Sequence, residues 1–275
     1  MTQTVVLTNG SWHGAWAWSL VAPHLAARGL SPVALELEGF GGLRGRDPVS
    51  RHARPFDQQS FATEVSPVAG ITLDHAVRAL LADISALGRG PVVAVAHSLG
   101  GTVVAEAAQR APRMFSGLVF VSAMTPVLDR PASAYNTLPE MAGSMLPGLL
   151  VADPAAVGSI RADFDSPEGR DLAHQALYAD VPPALADRAL SMLTSDTTVG
   201  VDGRVDATAD AFGAIPRTWV LCTEDRILTP AVQWRLVREL DQVCSRPTAV
   251  AELASSHSPF LSRPAELAGV IAGAS

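Results

Sequence analysis

A chain of 275 residues with 48% hydrophobic content can bury a large core and suits one big α/β domain, with room for a subdomain. Its net charge of −7 leaves no basic excess to neutralise phosphates, which argues against nucleic acid as a partner. Two cysteines, Cys222 and Cys244, fit a reducing compartment better than a disulfide scaffold. The chain enters Val5-Val6-Leu7 with no basic leader and holds no apolar run of membrane-spanning length. The expectation is a soluble, cytoplasmic protein without a membrane partner.

Thr4 to Thr8 reads as a first strand, closed by the Asn9-Gly10-Ser11 turn. Trp12 to Trp18 leads into a helix with Trp18, Val21 and Leu25 on one face and Gly29 just past its end. Pro32 to Leu37 is a second strand. Thr72 caps a helix carrying Val77, Leu80 and Ile84. Val92 to Val95 is a third strand, Gly117 to Val121 a fourth, Pro216 to Cys222 a fifth and Thr248 to Leu253 a sixth. Thr229-Pro230 and Pro264 open the last two helices. Apolar strands alternating with amphipathic helices argue a mainly parallel, six-stranded sheet covered on both faces.

Two segments break the alternation. Residues 43–71 are rich in Arg, Pro and Ser, and read as a long active-site loop. Residues 125–214 are helix-like pieces broken by Pro and Gly, with no convincing strand, and read as a helical cap. Both follow the carboxyl ends of strands, where open α/β sheets place their crevices. The division expected is a core of residues 1–124 and 215–275, with 125–214 inserted after the fourth strand.

The chemistry is written around Ala96-His97-Ser98-Leu99-Gly100-Gly101. A strand, a tight turn with a central serine and a helix make the context of a nucleophile elbow, with Ala96 small enough to replace a first glycine. Ser98 then stands at the strand's end, where the Leu99 N–H can stabilise an oxyanion. A serine hydroxyl needs a base, and the base an orienting acid. His257 follows the sixth strand and is the candidate base; Asp225 follows the fifth and is the candidate acid, with Glu224 and Asp129 as competitors. The second oxyanion donor is the Ser11 N–H, and Asn9, Gly10 and Trp12 are placed at the substrate. His24, His75 and His174 read as surface or packing residues, and alternation points His97 away from the cavity. Arg44, Arg46, Arg51 and Arg54 with His52 form the one basic concentration, read as a solvated face before a device for steering anionic substrates.

His13-Gly14-Ala15-Trp16, Ala-His-Ser-Leu-Gly-Gly, Thr-Glu-Asp-Arg and Ser-His-Ser-Pro-Phe together resemble the α/β-hydrolase superfamily. More narrowly they resemble the branch of plant methylesterases, hydroxynitrile lyases and bacterial esterase-like proteins. The resemblance spans nearly the whole chain. It implies the α/β-hydrolase fold, Ser98, Asp225 and His257 as a triad, Ser11 and Leu99 N–H groups as the oxyanion hole, and neither cofactor nor metal. The family commonly carries His-Gly after the first strand; here Asn9-Gly10 stands there.

Three functions are carried forward. The first is hydrolysis of a small ester or lactone through an acyl-enzyme on Ser98. The second is a cofactor-free lyase or ring-opening enzyme using the same serine and histidine as acid and base. Gly10 in the place of the lyases' threonine and a cap without lysine count against a cyanohydrin lyase. The third is a ligand sensor on the same fold. The expected partner is a small molecule with an apolar or aromatic portion, and the apolar cap is also a candidate homodimer face.

Overall fold

Valine-rich runs collect into one sheet in the computed structural model, which describes residues 2–274. Its strands are β1 (Thr4–Thr8), β2 (Ser31–Leu35), β3 (Val92–His97), β4 (Phe115–Val121), β7 (Arg217–Cys222) and β8 (Ala249–Leu253), while β5 (Ser159–Arg161) and β6 (Asp196–Thr198) pair apart from it. The order is β2-β1-β3-β4-β7-β8, and every neighbouring pair is parallel. All residues of β1 and β3 are buried, so both faces of the sheet are covered. The chain passes from β1 to β2 on one side and returns to β3 on the other. That reversal opens a crevice beyond the carboxyl ends of β1 and β3.

Local signals set most helix boundaries. Thr72 Oγ1 accepts the His75 N–H and starts Leu73–Ala86, and Thr229 Oγ1 accepts the Val232 N–H at 3.3 Å and starts Pro230–Val243. Gly100–Arg110 packs against Leu73–Ala86, and Ala22–Ala26 against Pro264–Gly273. The helix expected after Trp12 is split into a 3₁₀ turn over Ala15–Trp18 and the short Ala22–Ala26, whose Pro23 is tolerated only in a first turn. No helix among the described residues is long and apolar enough to cross a membrane.

Both interruptions differ from their sequence reading. The insertion between β4 and β7 holds short helices as expected, but also the antiparallel β5–β6 pair. Each strand has three residues, too few for alternation to show. Arg161 stands opposite Asp196 across the pair, and both are fully buried in a two-pronged ion pair at 2.7 Å. Residues 43–71 are not an open loop: they form the helices Val49–His52 and Gln58–Thr63 and bind the insertion. Arg161 donates to the carbonyls of Phe61 and Glu64, and buried Arg51 reaches Asp47, Asp165 and the Leu193 carbonyl.

Candidate active site

The elbow is built where β3 ends. Ser98 has φ of 50°, in the left-handed region that a serine adopts only when its surroundings enforce it. Enforcement comes from β4 and the segment after it: the Ser98 N–H donates to Val121 O at 3.2 Å, and Ser98 O accepts the Met124 N–H at 2.8 Å. A Cβ on Gly100 would lie 2.3 Å from Asn9 O, so only glycine lets the helix begin this close to the loop after β1. Gly100–Arg110 therefore presents its N-terminus directly behind Ser98.

Asp225 and His257 arrive from the ends of β7 and β8. The His257 Nδ1–H donates to Asp225 Oδ2 at 2.7 Å, and the Ile227 and Leu228 N–H groups hold Asp225 Oδ1 at 2.7 and 3.0 Å. The Ser122 hydroxyl also donates to Asp225 Oδ2. Ser122 has φ of 37° at the end of β4, and the sequence reading missed it; its one signal was its place at a strand's carboxyl end. Glu224 is exposed, and Asp129 is fully exposed and paired with Arg204, so neither competes for the histidine. Ser98 Oγ makes no hydrogen bond to His257 among the described residues, although both line one cavity; such contacts commonly tighten only once substrate is bound.

Behind His257 lies His97. Its ring centroid is 4.6 Å from that of His257, and its Nε2–H donates to the His257 carbonyl at 2.9 Å. It does not line the cavity, as alternation implied, but it braces the histidine that does. Burial holds His97 well below the usual histidine range, and the facing His257 and His13 add to this. A Cβ on Gly10 would lie 2.6 Å from His97 Nδ1 and 2.7 Å from Ser98 Cβ, so this glycine lets the loop after β1 reach the elbow.

Asn9, buried, knits that loop rather than meeting substrate. Its Oδ1 accepts the Leu37 N–H at 3.1 Å, and its Nδ2 donates to the carbonyls of His13 and, at 3.2 Å, Gly10. Gly10 O and the Ser11 N–H share one peptide plane, so Asn9 fixes the aim of that N–H. Neither the Ser11 nor the Leu99 N–H has an acceptor among the described residues. Expected at the substrate, Asn9 and Gly10 are absent from the cavity wall, whereas Trp12, Ser11 and Leu99 are on it. Trp12 itself has φ of 65°, and its Nε1–H donates to Ile160 O in β5 at 2.9 Å.

The cavity measures about 180 Å³. Ser98, Ser11, His13 and His257 meet there with Met124, Leu146, Leu150, Ile160, Leu177, Val199, Val201, Ile227 and Leu228. Exposed Ser133, Asn136 and Asp202 give it a polar rim. No residue of 43–71 lines it, so the active-site-loop reading is corrected, and the solvated face read for its arginines fails at Arg51, which is buried. Arg44 is tied to Asp83 and Arg51 to Asp47 and Asp165, which makes them structural. Burial holds His13 down at about 4, against a raising hydrogen bond to the Ser11 carbonyl. Cys222 is fully buried, and burial pushes its thiol up, which leaves it a small apolar residue.

Residues 5–270 match the model of the alpha/beta hydrolase family. The chain belongs to that family. As a member of it, the chain is 29% identical over 274 residues to a putative chloroplastic methylesterase of Arabidopsis thaliana, covering 95% of this chain and 69% of that one. It is 27% identical to a methyl jasmonate esterase of Vitis vinifera (95% and 92% covered) and 27% identical to a pyrethroid hydrolase of Sphingobium wenxiniae (99% and 88%). Among solved structures, a pyrethroid hydrolase from Sphingobium faniae superposes with a TM-score of 0.73 at 23% identity, covering 99% of this chain and 97% of that one. This α/β hydrolase thus has the family's fold over nearly its full length and is esterase-like in its relatives.

Proposed function

We propose that this α/β hydrolase cleaves a small, uncharged carboxylic ester or lactone through an acyl-enzyme on Ser98. The observation that carries the reading is a strained Ser98 beside the open Leu99 N–H, sharing one apolar cavity with a histidine whose far nitrogen is held by Asp225. With Nδ1–H given to Asp225, His257 Nε2 takes the Ser98 proton as Oγ attacks the carbonyl carbon. The Ser11 and Leu99 N–H groups hold the oxyanion. His257 then protonates the leaving alkoxide, and a water activated by the same nitrogen releases the acid. The 125–214 insertion acts as the cap that forms the acyl pocket.

The apolar wall favours an apolar acyl group. All twenty basic residues of the chain are arginines and none lines the cavity, so a cyanohydrin lyase's cation has no counterpart here. Relatives named for methyl ester and pyrethroid hydrolysis agree with an ester substrate. The test is a burst assay with para-nitrophenyl butyrate on the wild type and Ser98→Ala. A burst equal to the enzyme concentration, lost in the variant, supports the reading. A folded wild type with no burst and no labelling by a serine-directed phosphonate refutes it.

A further inference from the structure

Ser11 is held from the insertion as well as from the sheet. The Tyr178 hydroxyl, at the end of helix Pro167–Leu177, lies 2.8 Å from His13 Nε2, and His13 Nδ1 lies 2.7 Å from Ser11 O. A carbonyl only accepts, so His13 Nδ1 carries the proton, Nε2 is an acceptor, and the Tyr178 O–H donates to it. We infer that His13 and Tyr178 are positioning residues for the oxyanion hole, through which the insertion fixes the orientation of Ser11. The inference rests on the proposed role of the Ser11 N–H.

Two peptide planes flank Ser11, and each is clamped. The plane before it is held at Gly10 O by Asn9 Nδ2 and by the His13 N–H at 3.4 Å. The plane after it is held at Ser11 O by the His13 ring. Together they leave the Ser11 N–H one direction, and a donor aimed in advance costs no reorganisation when the oxyanion forms. Tyr178 has no exposed surface, and its hydroxyl makes its one hydrogen bond among the described residues here, so it is satisfied only while His13 keeps this orientation. His13 is packed between Trp16, His97, Tyr178 and Phe260, with ring centroids 5.5–5.9 Å away. Burial keeps the ring neutral at pH 7, which preserves Nε2 as the acceptor.

The test compares full-length wild type, Tyr178→Phe, His13→Leu and His13→Asn on para-nitrophenyl butyrate. An interaction made only in the transition state lowers kcat and leaves KM alone. Tyr178→Phe should lose about tenfold in kcat and His13→Leu about 100-fold, with KM within about twofold. His13→Asn, whose amide N–H reaches where Nδ1–H stood, should recover to within about tenfold of wild type. Imidazole ¹⁵N spectra supply a readout independent of turnover. Wild type should show a Nδ1-protonated histidine with a hydrogen-bonded Nε2 that is missing from His13→Asn and shifted in Tyr178→Phe. Unchanged kcat in Tyr178→Phe and His13→Leu overturns the inference, as does a change in KM alone, an Asn variant no better than Leu, or a protonated Nε2. A folded wild type with no turnover, no burst and no labelling by a serine-directed phosphonate is a different failure: it removes the esterase reading and this inference with it.

Discussion

Residues 43–71 and 125–214 interrupt the same alternating pattern, follow strands at the same end of the sheet, and take opposite places. The insertion supplies much of the cavity wall, while 43–71 supplies none and is bolted to the outside by Arg161 and Arg51. The difference teaches that a break in periodicity marks a segment as outside the sheet without saying what it covers. Buried charges decide the placement, because each must find a partner wherever it stands.

The contrast can be broken most severely at Arg161. Arg161→Met leaves Asp196 buried and uncompensated, and should cost about 3–5 kcal/mol, read as a lower urea midpoint. A wild-type midpoint would mean the two segments are not joined through Arg161. Acid tests the inner side of the insertion next. His13 binds a proton less readily folded than unfolded, so stability is full above pH 6.5 and falls as pH drops towards 4. The slope is about 1.4 kcal/mol per pH unit from His13 alone, and buried His97 adds in the same direction. His13→Asn should flatten that slope. Arg51→Ala should cost about 2 kcal/mol and leave kcat and KM within about twofold, since nothing from its segment meets substrate. A large rise in KM would place the outer segment at the cavity after all. The smallest effect is the sharpest: Ile160→Phe, on the cavity wall, should raise KM about fivefold for para-nitrophenyl butyrate and less for the acetate.

What was legible in the sequence was local. The elbow serine, the acid and the histidine each follow a strong strand, and turn residues beside them fix where the chain exits. The paired strands β5 and β6 were too short to alternate, and a helical pattern after Trp12 concealed the break before Pro23. Tyr178 meets His13 across 165 residues, and Ser122 meets Asp225 across 103. No spacing rule reaches that far, and a lone Tyr or Ser carries no signature of its partner. Asn9 was placed at the substrate because it adjoins the oxyanion loop, yet its amide satisfies three backbone groups and turns inward.

The crowding around the elbow also bears on how this protein can change over generations. Gly10 is pressed against His97 and Ser98, and Gly100 against the Asn9 carbonyl. A substitution at any one of these positions meets the backbone or ring of another, so their effects are strongly non-additive. Descendants of this chain can therefore drift freely along the outer face of 43–71, while the Asn9, Gly10, His97 and Gly100 corner is inherited as a single unit. Replacing Asn9 with a histidine would be tolerated only alongside compensating changes at its neighbours.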